Sequence, residues 1–218
     1  MASQTPRILD ISLHSIRRWL DNVFPELLTA LESKAEFQRA ENSTSAISLL
    51  SQHPGPSAVL ITDEALTLQA NIPVWKAVLA YVRRGGTAII MSLLYVRPNH
   101  VKPFFSRAGL DWERASPKQR TILTLNLSAA GVADALNLPY RCSQRAVFIN
   151  NVAEEDMWYK IEDDSGVQSV DFPPTSANVA GQTAVALAKV GQGKLGYVGD
   201  IRGEDASTSI VLAMCGLV

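Results

Sequence analysis

Residues Pro73 to Leu94 read Pro-Val-Trp-Lys-Ala-Val-Leu-Ala-Tyr-Val-Arg-Arg-Gly-Gly-Thr-Ala-Ile-Ile-Met-Ser-Leu-Leu. Val74, Trp75, Val78, Leu79 and Val82 recur at the spacing of one helix face, and Pro73 suits a first turn, where its missing N–H is not needed. Gly85-Gly86 stops that helix, because glycine adopts a left-handed conformation without a Cβ penalty. Thr87 to Leu94 is then apolar with no polar alternation, and so is Ser57-Ala-Val-Leu-Ile-Thr62 before the helix. A strand with no wet face is covered on both sides, as in parallel sheets flanked by crossover helices. The passage predicts strand, helix, strand in right-handed βαβ order.

Upstream, Arg7 to Leu13 reads as a first strand. A helix over residues 15–33 follows, with Ile16, Trp19, Leu20, Val23, Leu27, Leu28 and Leu31 on one face and Pro25 kinking or splitting it. Ala35 to Ala40 is a second strand, and Asn42-Ser-Thr-Ser signals a helix start. Downstream, Pro98 to Asp111 reads as helix and loop, Thr121 to Leu127 as a strand, and Gly131 to Leu138 as a short helix. Beyond Ala146 the texture changes to short strands near residues 147–152, 157–162, 183–190 and 194–199, broken by Asp163-Asp-Ser-Gly and Pro173-Pro. These predict a partly antiparallel extension of the same sheet. A last helix, Ser207 to Leu217, takes Asp205 or Ser207 as cap and ends at Gly216. With no internal repeat and no long linker, residues 1–218 are expected to form a single α/β domain.

Charge narrows the function classes. Lys and Arg number 20 against 21 Asp and Glu, a net charge of −1 with no basic stripe, which disfavours neutralising a row of phosphates and so nucleic acid. The longest apolar run, Ala88 to Val96, is about half a membrane span. The start of the chain has neither a charged nor an apolar leader segment, so a cytoplasmic protein without membrane contact is expected. Cys142 and Cys215 are far apart and lack clustered histidines, so no disulfide framework, metal site or cofactor is expected.

One motif is a decoy. Gly191-Gln-Gly193-Lys-Leu-Gly196 fits the G-x-G-x-x-G spelling of a dinucleotide loop, but that loop must open a helix and Leu195-Gly-Tyr-Val-Gly continues as a strand. A hairpin with Gly191 and Gly193 at positive φ accounts for the same letters.

Ligands of open α/β sheets bind outside the carboxyl ends of the strands. The polar residues expected there are Asp10 and His14 after the first strand, Asp63 and Glu64 after the third, Ser92 after the fourth, and Asp200, Arg202 and Glu204 after the last. Asp63, Glu64, Ser92, Asp200, Arg202 and Glu204 form the candidate ligand-binding cleft, with Arg202 as the anion contact. Ser92, His14 and Glu204 are the candidate catalytic groups, although Ser92 lacks the flanking glycines of a nucleophile elbow. Cys215 reads as core, and Cys142 as a structural cysteine beside Arg141.

Leu79 to Met91, preceded by Ala58-Val-Leu-Ile-Thr-Asp63, resembles the helix-Gly-Gly-strand passage of class I glutamine amidotransferase-like domains, including ThuA-like proteins. Gly191-Gln-Gly-Lys-Leu-Gly-Tyr-Val-Gly-Asp200 is similar to the strand pair before their final helix. The resemblance implies a flavodoxin-like three-layer sandwich with an added antiparallel portion. It also implies a catalytic Cys just after the strand Thr87–Ser92, and a His and a Glu after Leu195–Gly199. This chain has Met91-Ser-Leu-Leu94 and Asp200-Ile-Arg-Gly-Glu204 at those places, with neither thiol nor imidazole. Without nucleophile and base the amidotransferase mechanism has no means to proceed, and glutamine hydrolysis is not expected.

Three functions remain open from sequence. The leading one is a non-catalytic amidotransferase-like domain that binds a small polar ligand or a protein partner. The second is a hydrolase using Ser92, activated by His14 or a carboxylate. The third is a homodimeric scaffold whose contacts would come from helix 73–84 and from Trp112, Trp158 and Tyr159.

Overall fold

The computed structural model of the chain describes residues 5–14, 18–91, 93–115, 119–131, 137–161, 168–169 and 181–217. The first strand, β1 (Arg7–Ile11), is followed by α1 (Trp19–Val23) and α2 (Pro25–Lys34), so Pro25 splits the expected helix by beginning its second half. Next come β2 (Glu36–Ala40), α3 (Ser43–Leu50), β3 (Ala58–Ile61), α4 (Ile72–Arg83) and β4 (Thr87–Met91). The Asn42 side chain caps α3 by accepting the Ser45 N–H at 2.9 Å. Gly85 closes α4 at φ 113°.

These strands build a six-stranded sheet in the order β11-β12-β4-β3-β1-β2, where β11 (Val185–Val190) and β12 (Gly193–Val198) form the late hairpin. Every neighbouring pair is parallel except β11 with β12. The parallel part runs 2-1-3-4-12, the flavodoxin-like order, and its direction of growth reverses between β1 and β3.

Both faces are covered, as the unalternating strands predicted. Leu9, Ile11, Val59, Ile61, Ala88 and Ile90 face a core shared with α3, α4 and α5 (Pro98–Ser106). Ile8, Leu60, Ile89, Met91 and Val198 face a second core shared with α1, α2 and α7 (Asp205–Met214). Trp112, Trp158 and Tyr159 are each at most 3% exposed, so these three are core residues and not surface contacts, whereas α4 buries its apolar side and leaves Pro73, Lys76 and Arg83 exposed.

The late strands correct the sequence reading. Only β11 joins the main sheet as an antiparallel strand. The short strands β5 (Glu113–Arg114) and β8 (Ile149–Asn150) pair with each other. Strand β6 (Gln119–Leu125), followed by the single-turn helix α6 (Leu127–Ala130), pairs with β7 (Arg141–Ala146), β9 (Tyr159–Ile161) and β10 (Gln168–Ser169) in a sheet of its own. The reason lies in β6, where Thr121, Leu123 and Leu125 are buried while Arg120 and Ile122 are exposed. That alternation suits a sheet with one wet face, not a strand covered on both. The isolated bridges Ala146↔Asp200, Ile149↔Thr183 and Met157↔Ala186 stitch this region to the end of the main sheet. The short helix expected over 131–138 lies largely outside the described residues.

Glycines 191 and 193 divide their work differently from expectation. Gly191 has φ 65°, whereas Gly193 is not at positive φ. A Cβ on Gly193 would sit 2.1 Å from the Gly86 carbonyl oxygen and 2.2 Å from that of Val82, so close approach of backbones requires it. Among the described residues no helix is long and apolar enough to cross a membrane.

Candidate functional site

Parallel strands deliver their C-terminal residues to one edge of the sheet, and the reversal between β1 and β3 opens a crevice there. The residues just after β1 and β3 meet in it. One carboxylate oxygen of Asp63 accepts the His14 backbone N–H at 2.6 Å, and the other accepts the Ala65 N–H at 2.8 Å. The His14 ring nitrogen Nδ1 lies 3.4 Å from a Glu64 carboxylate oxygen. Burial raises the Asp63 carboxyl above its ordinary value, against the lowering effect of those two backbone donors.

Beneath this group lies a charged layer. Asp10 is inside β1 and fully buried, not after the strand as the sequence suggested. Its carboxylate accepts the Thr62 hydroxyl at 2.6 Å and the Arg39 Nε–H at 2.7 Å, and Arg39 also pairs with Asp21 at 3.1 Å. Register makes the pair: Asp10 of β1 stands beside Arg39 of β2. Burial pushes the Asp10 carboxyl up despite its hydrogen bonds. Burial also opposes the Arg39 charge, but hydrogen bonds to Asp10 and Asp21 more than offset it and raise the guanidinium.

Among the described residues the crevice is narrow. Trp19 and Tyr95 meet edge-to-face with ring centroids 5.9 Å apart, and with Thr62, Asp63, Glu64, Met91 and Leu94 they enclose about 10 Å³. Small-molecule pockets occupy roughly 300–1,000 Å³, so the space between these described residues is far smaller than such a ligand fills. Sequence reasoning missed both aromatic residues as site residues. The signal available was the position of Tyr95 soon after the end of β4; Trp19, the first residue of α1, was read only as part of a helix face.

A second group forms after β12. Asp200 is fully buried and its carboxylate accepts three hydrogens: the Arg202 N–H at 2.8 Å on one oxygen and, on the other, the Glu204 N–H at 2.7 Å and the Ser207 hydroxyl at 2.5 Å; its backbone bridges Ala146 of β7. Burial raises its carboxyl in spite of these donors. The turn so formed presses Gly203 against α1, where a Cβ would lie 1.8 Å from the Val23 carbonyl oxygen. Glu204 precedes α7 and makes no side-chain cap; it pairs with Arg120 of β6 at 2.6 Å. Asp205 is the first residue of α7 and Ser207 lies in its first turn, so neither is the expected cap.

An open groove of about 830 Å³ lies between this turn, the first turns of α7 and the strand β7; Arg141, Cys142, Ser143, Arg202, Glu204 and Ser209 are among its walls. The single cleft expected from sequence is thus two places: Asp63 and Glu64 line the narrow crevice with His14 bound to both, whereas Arg202 and Glu204 line the groove. Ser92 lies outside the described residues. Neither thiol is poised to react: burial, with Asp200 and Glu204 nearby, pushes Cys142 up to about 12, and burial alone pushes Cys215, near the end of α7, up to about 12. Among the described residues no three His, Cys, Asp or Glu side chains group to hold a metal ion.

No protein-family model matches this sequence, and no curated protein does. Solved structures do match in three dimensions. The crystal structure of a ThuA-like protein from Bacteroides uniformis ATCC 8492 superposes with TM-score 0.64 at 9% identity, over 98% of this chain and 92% of that one. This chain has a ThuA-like fold. A second ThuA-like protein, from Parabacteroides merdae ATCC 43184, gives TM-score 0.59 at 9% identity over 98% and 88% of the two chains. The N-terminal domain of mmIFT52 superposes on this chain with TM-score 0.62 at 11% identity, over 96% of each chain. Identities this low carry the fold alone, so function has to be argued from the site.

Proposed function

We propose that this chain is a non-catalytic amidotransferase-like domain that works by recognising a protein partner. The observation that carries the reading is the narrowing of the β1/β3 crevice by Trp19 and Tyr95, which leaves about 10 Å³ between the described residues where doubly wound sheets hold their ligands. The thiol nearest the C-terminal edge groups, Cys142, points the same way, because a nucleophilic cysteine needs a lowered pKa and this one is pushed up to about 12. One open polar space, the groove of about 830 Å³ beside β7, is walled by strand and helix, which suits a segment of chain more than a small polar ligand.

The hydrolase reading retains one specific support, the His14 ring held 3.4 Å from Glu64, an arrangement that orients an imidazole as a base. A serine-directed fluorophosphonate probe on the folded protein separates the two. Recognition without turnover predicts no adduct on Ser92; an adduct there that disappears in His14→Ala would establish the hydrolase and end the non-catalytic reading. The homodimer reading keeps only the exposed side of α4 among the contacts first assigned to it, since Trp112, Trp158 and Tyr159 are core residues.

A further inference from the structure

Charge is segregated along this chain. Between Glu64 and Asp111 there are six Lys and Arg and no acid, and between Asp171 and Asp200 only Lys189 and Lys194 carry charge. The fold brings these acid-free stretches together, because the turn joining β11 to β12 sits on the end of α4. There the Gln192 N–H donates to the Arg83 carbonyl at 3.2 Å, the Lys194 N–H donates to the Gly86 carbonyl at 3.0 Å, and a Cβ on Gly191 would lie 2.9 Å from the Arg83 Cα. Arg83 and Arg84 therefore flank the same turn as Lys189 and Lys194, and all four residues are exposed.

Lys189 and Lys194 stand directly opposite each other in the hairpin. Because the Gly199 N–H donates to the Ala184 carbonyl, counting by twos puts the two lysines in a non-hydrogen-bonded pair, with Cα atoms about 4.5 Å apart and side chains on one face. Like charges so placed destabilise a sheet. Nothing in the described residues relieves them: Arg83 donates to the Arg107 carbonyl at 3.0 Å, and the side chains of Arg84, Lys189 and Lys194 have no polar partner. The acidic turn Glu154–Asp156 approaches β11 at Ala186, three residues or about 10 Å from Lys189, and its Glu154 is held by Lys160.

We propose that this corner binds an acidic segment of a partner protein, with one carboxylate between the two lysines and others on the guanidinium groups of Arg83 and Arg84. Guanidinium suits the task because its parallel N–H groups match the two oxygens of a carboxylate. Four cations fall short of the row of phosphate contacts that nucleic acid binding draws on. A membrane fits less well, since the large apolar side chains exposed among the described residues, Ile47, Tyr95, Ile122, Leu127 and Tyr140, belong to neither this hairpin nor α4, and the corner has no apolar face to bury in lipid.

This inference rests on the recognition reading and adds to it a surface and a partner chemistry. Its test uses the full chain at physiological salt, a fluorescein-labelled peptide of alternating Gly and Glu, and the matching Gly and Lys peptide, read by fluorescence anisotropy. The acidic peptide should bind and the basic one should not. Lys194→Glu and Arg84→Glu should each weaken binding about fivefold, as much as an exposed ion pair commonly contributes. Lys76→Glu, the same change in net charge on the exposed side of α4 and about 10 Å along the helix from Arg83, should leave the affinity within about twofold. Lys194→Glu also turns the like pair into an opposite one, so its melting temperature should equal or exceed that of the wild type, which separates lost binding from lost fold. Absence of binding, equal affinity for both peptides, equal weakening by Lys76→Glu, or a lower melting temperature in Lys194→Glu would each overturn the proposal. Binding to vesicles of phosphatidylserine and phosphatidylcholine without binding to the acidic peptide would overturn it in favour of a membrane. The titrations report this corner and the adduct at Ser92 reports turnover, so either reading can fail without the other.

Discussion

Cys142 and Gly203 show how the surroundings of one residue set its role. The Cys142 thiol, taken from 9.0 to about 12 by burial and by the carboxylates of Asp200 and Glu204, loses about 1,000-fold in thiolate fraction at pH 8. Its reaction with Ellman's reagent should be slower than that of free cysteine by a comparable factor, and an ordinary rate in folded protein would contradict the burial argument. Gly203 is fixed by space as well as by its φ of 69°. Gly203→Ala places a methyl 1.8 Å from the Val23 carbonyl oxygen, so the turn must move or α1 must give way. A loss of about 2 kcal/mol in denaturant unfolding is expected. The sequence announced neither role. Gly203 lies outside the G-x-G-x-x-G spelling that drew attention, and the thiol is raised by burial and by carboxylates about 60 residues away in the chain, surroundings created only when the chain after β12 runs beside β7.

At the scale of elements, legibility followed local chemistry. The helix-Gly-Gly-strand passage, the division of the first helix at Pro25 and the Asn42 cap were readable because each rests on neighbouring residues. The separate sheet of β6, β7, β9 and β10 was not readable, because its identity depends on which distant strand each short segment chooses. The Asp10–Arg39 pair was hidden in the same way: a charge inside an apolar strand demands a partner, but only register names Arg39. The two helix starts make a paired prediction. Asn42→Ala removes a side-chain cap on α3 and should cost about 1 kcal/mol. Glu204→Ala removes no cap from α7 and leaves only a half-exposed ion pair unmade, so its cost should fall within about 0–1 kcal/mol. A loss for Glu204→Ala clearly above about 1 kcal/mol in thermal unfolding would mean that Glu204 caps its helix after all.

Across the whole molecule, the C-terminal edge of the sheet was legible as the polar edge, because parallel βαβ units put every strand end there; its narrowing was not, because Trp19 and Tyr95 meet only in the folded chain. The same edge concentrates buried acid. Asp10, Asp63 and Asp200 all have carboxyls raised above 3.8, in each case by burial first, with hydrogen bonds working against it. A raised folded value means that the native chain binds the proton more tightly than the unfolded one. The stability these groups contribute is therefore fully present below the unfolded value near 3.8 and is lost as pH rises through the raised folded values. Other carboxylates titrate too, so the sign is best read from a difference. Asp63→Asn has no carboxyl to titrate in the crevice. Its melting temperature minus that of the wild type should increase between pH 4 and pH 7, because only the wild type must ionise a buried acid over that interval. A difference that falls with pH would mean that the His14 and Ala65 donors outweigh burial. The crevice would then be electrostatically prepared for a charged carboxylate, and the case for a narrow, non-catalytic edge would weaken with it.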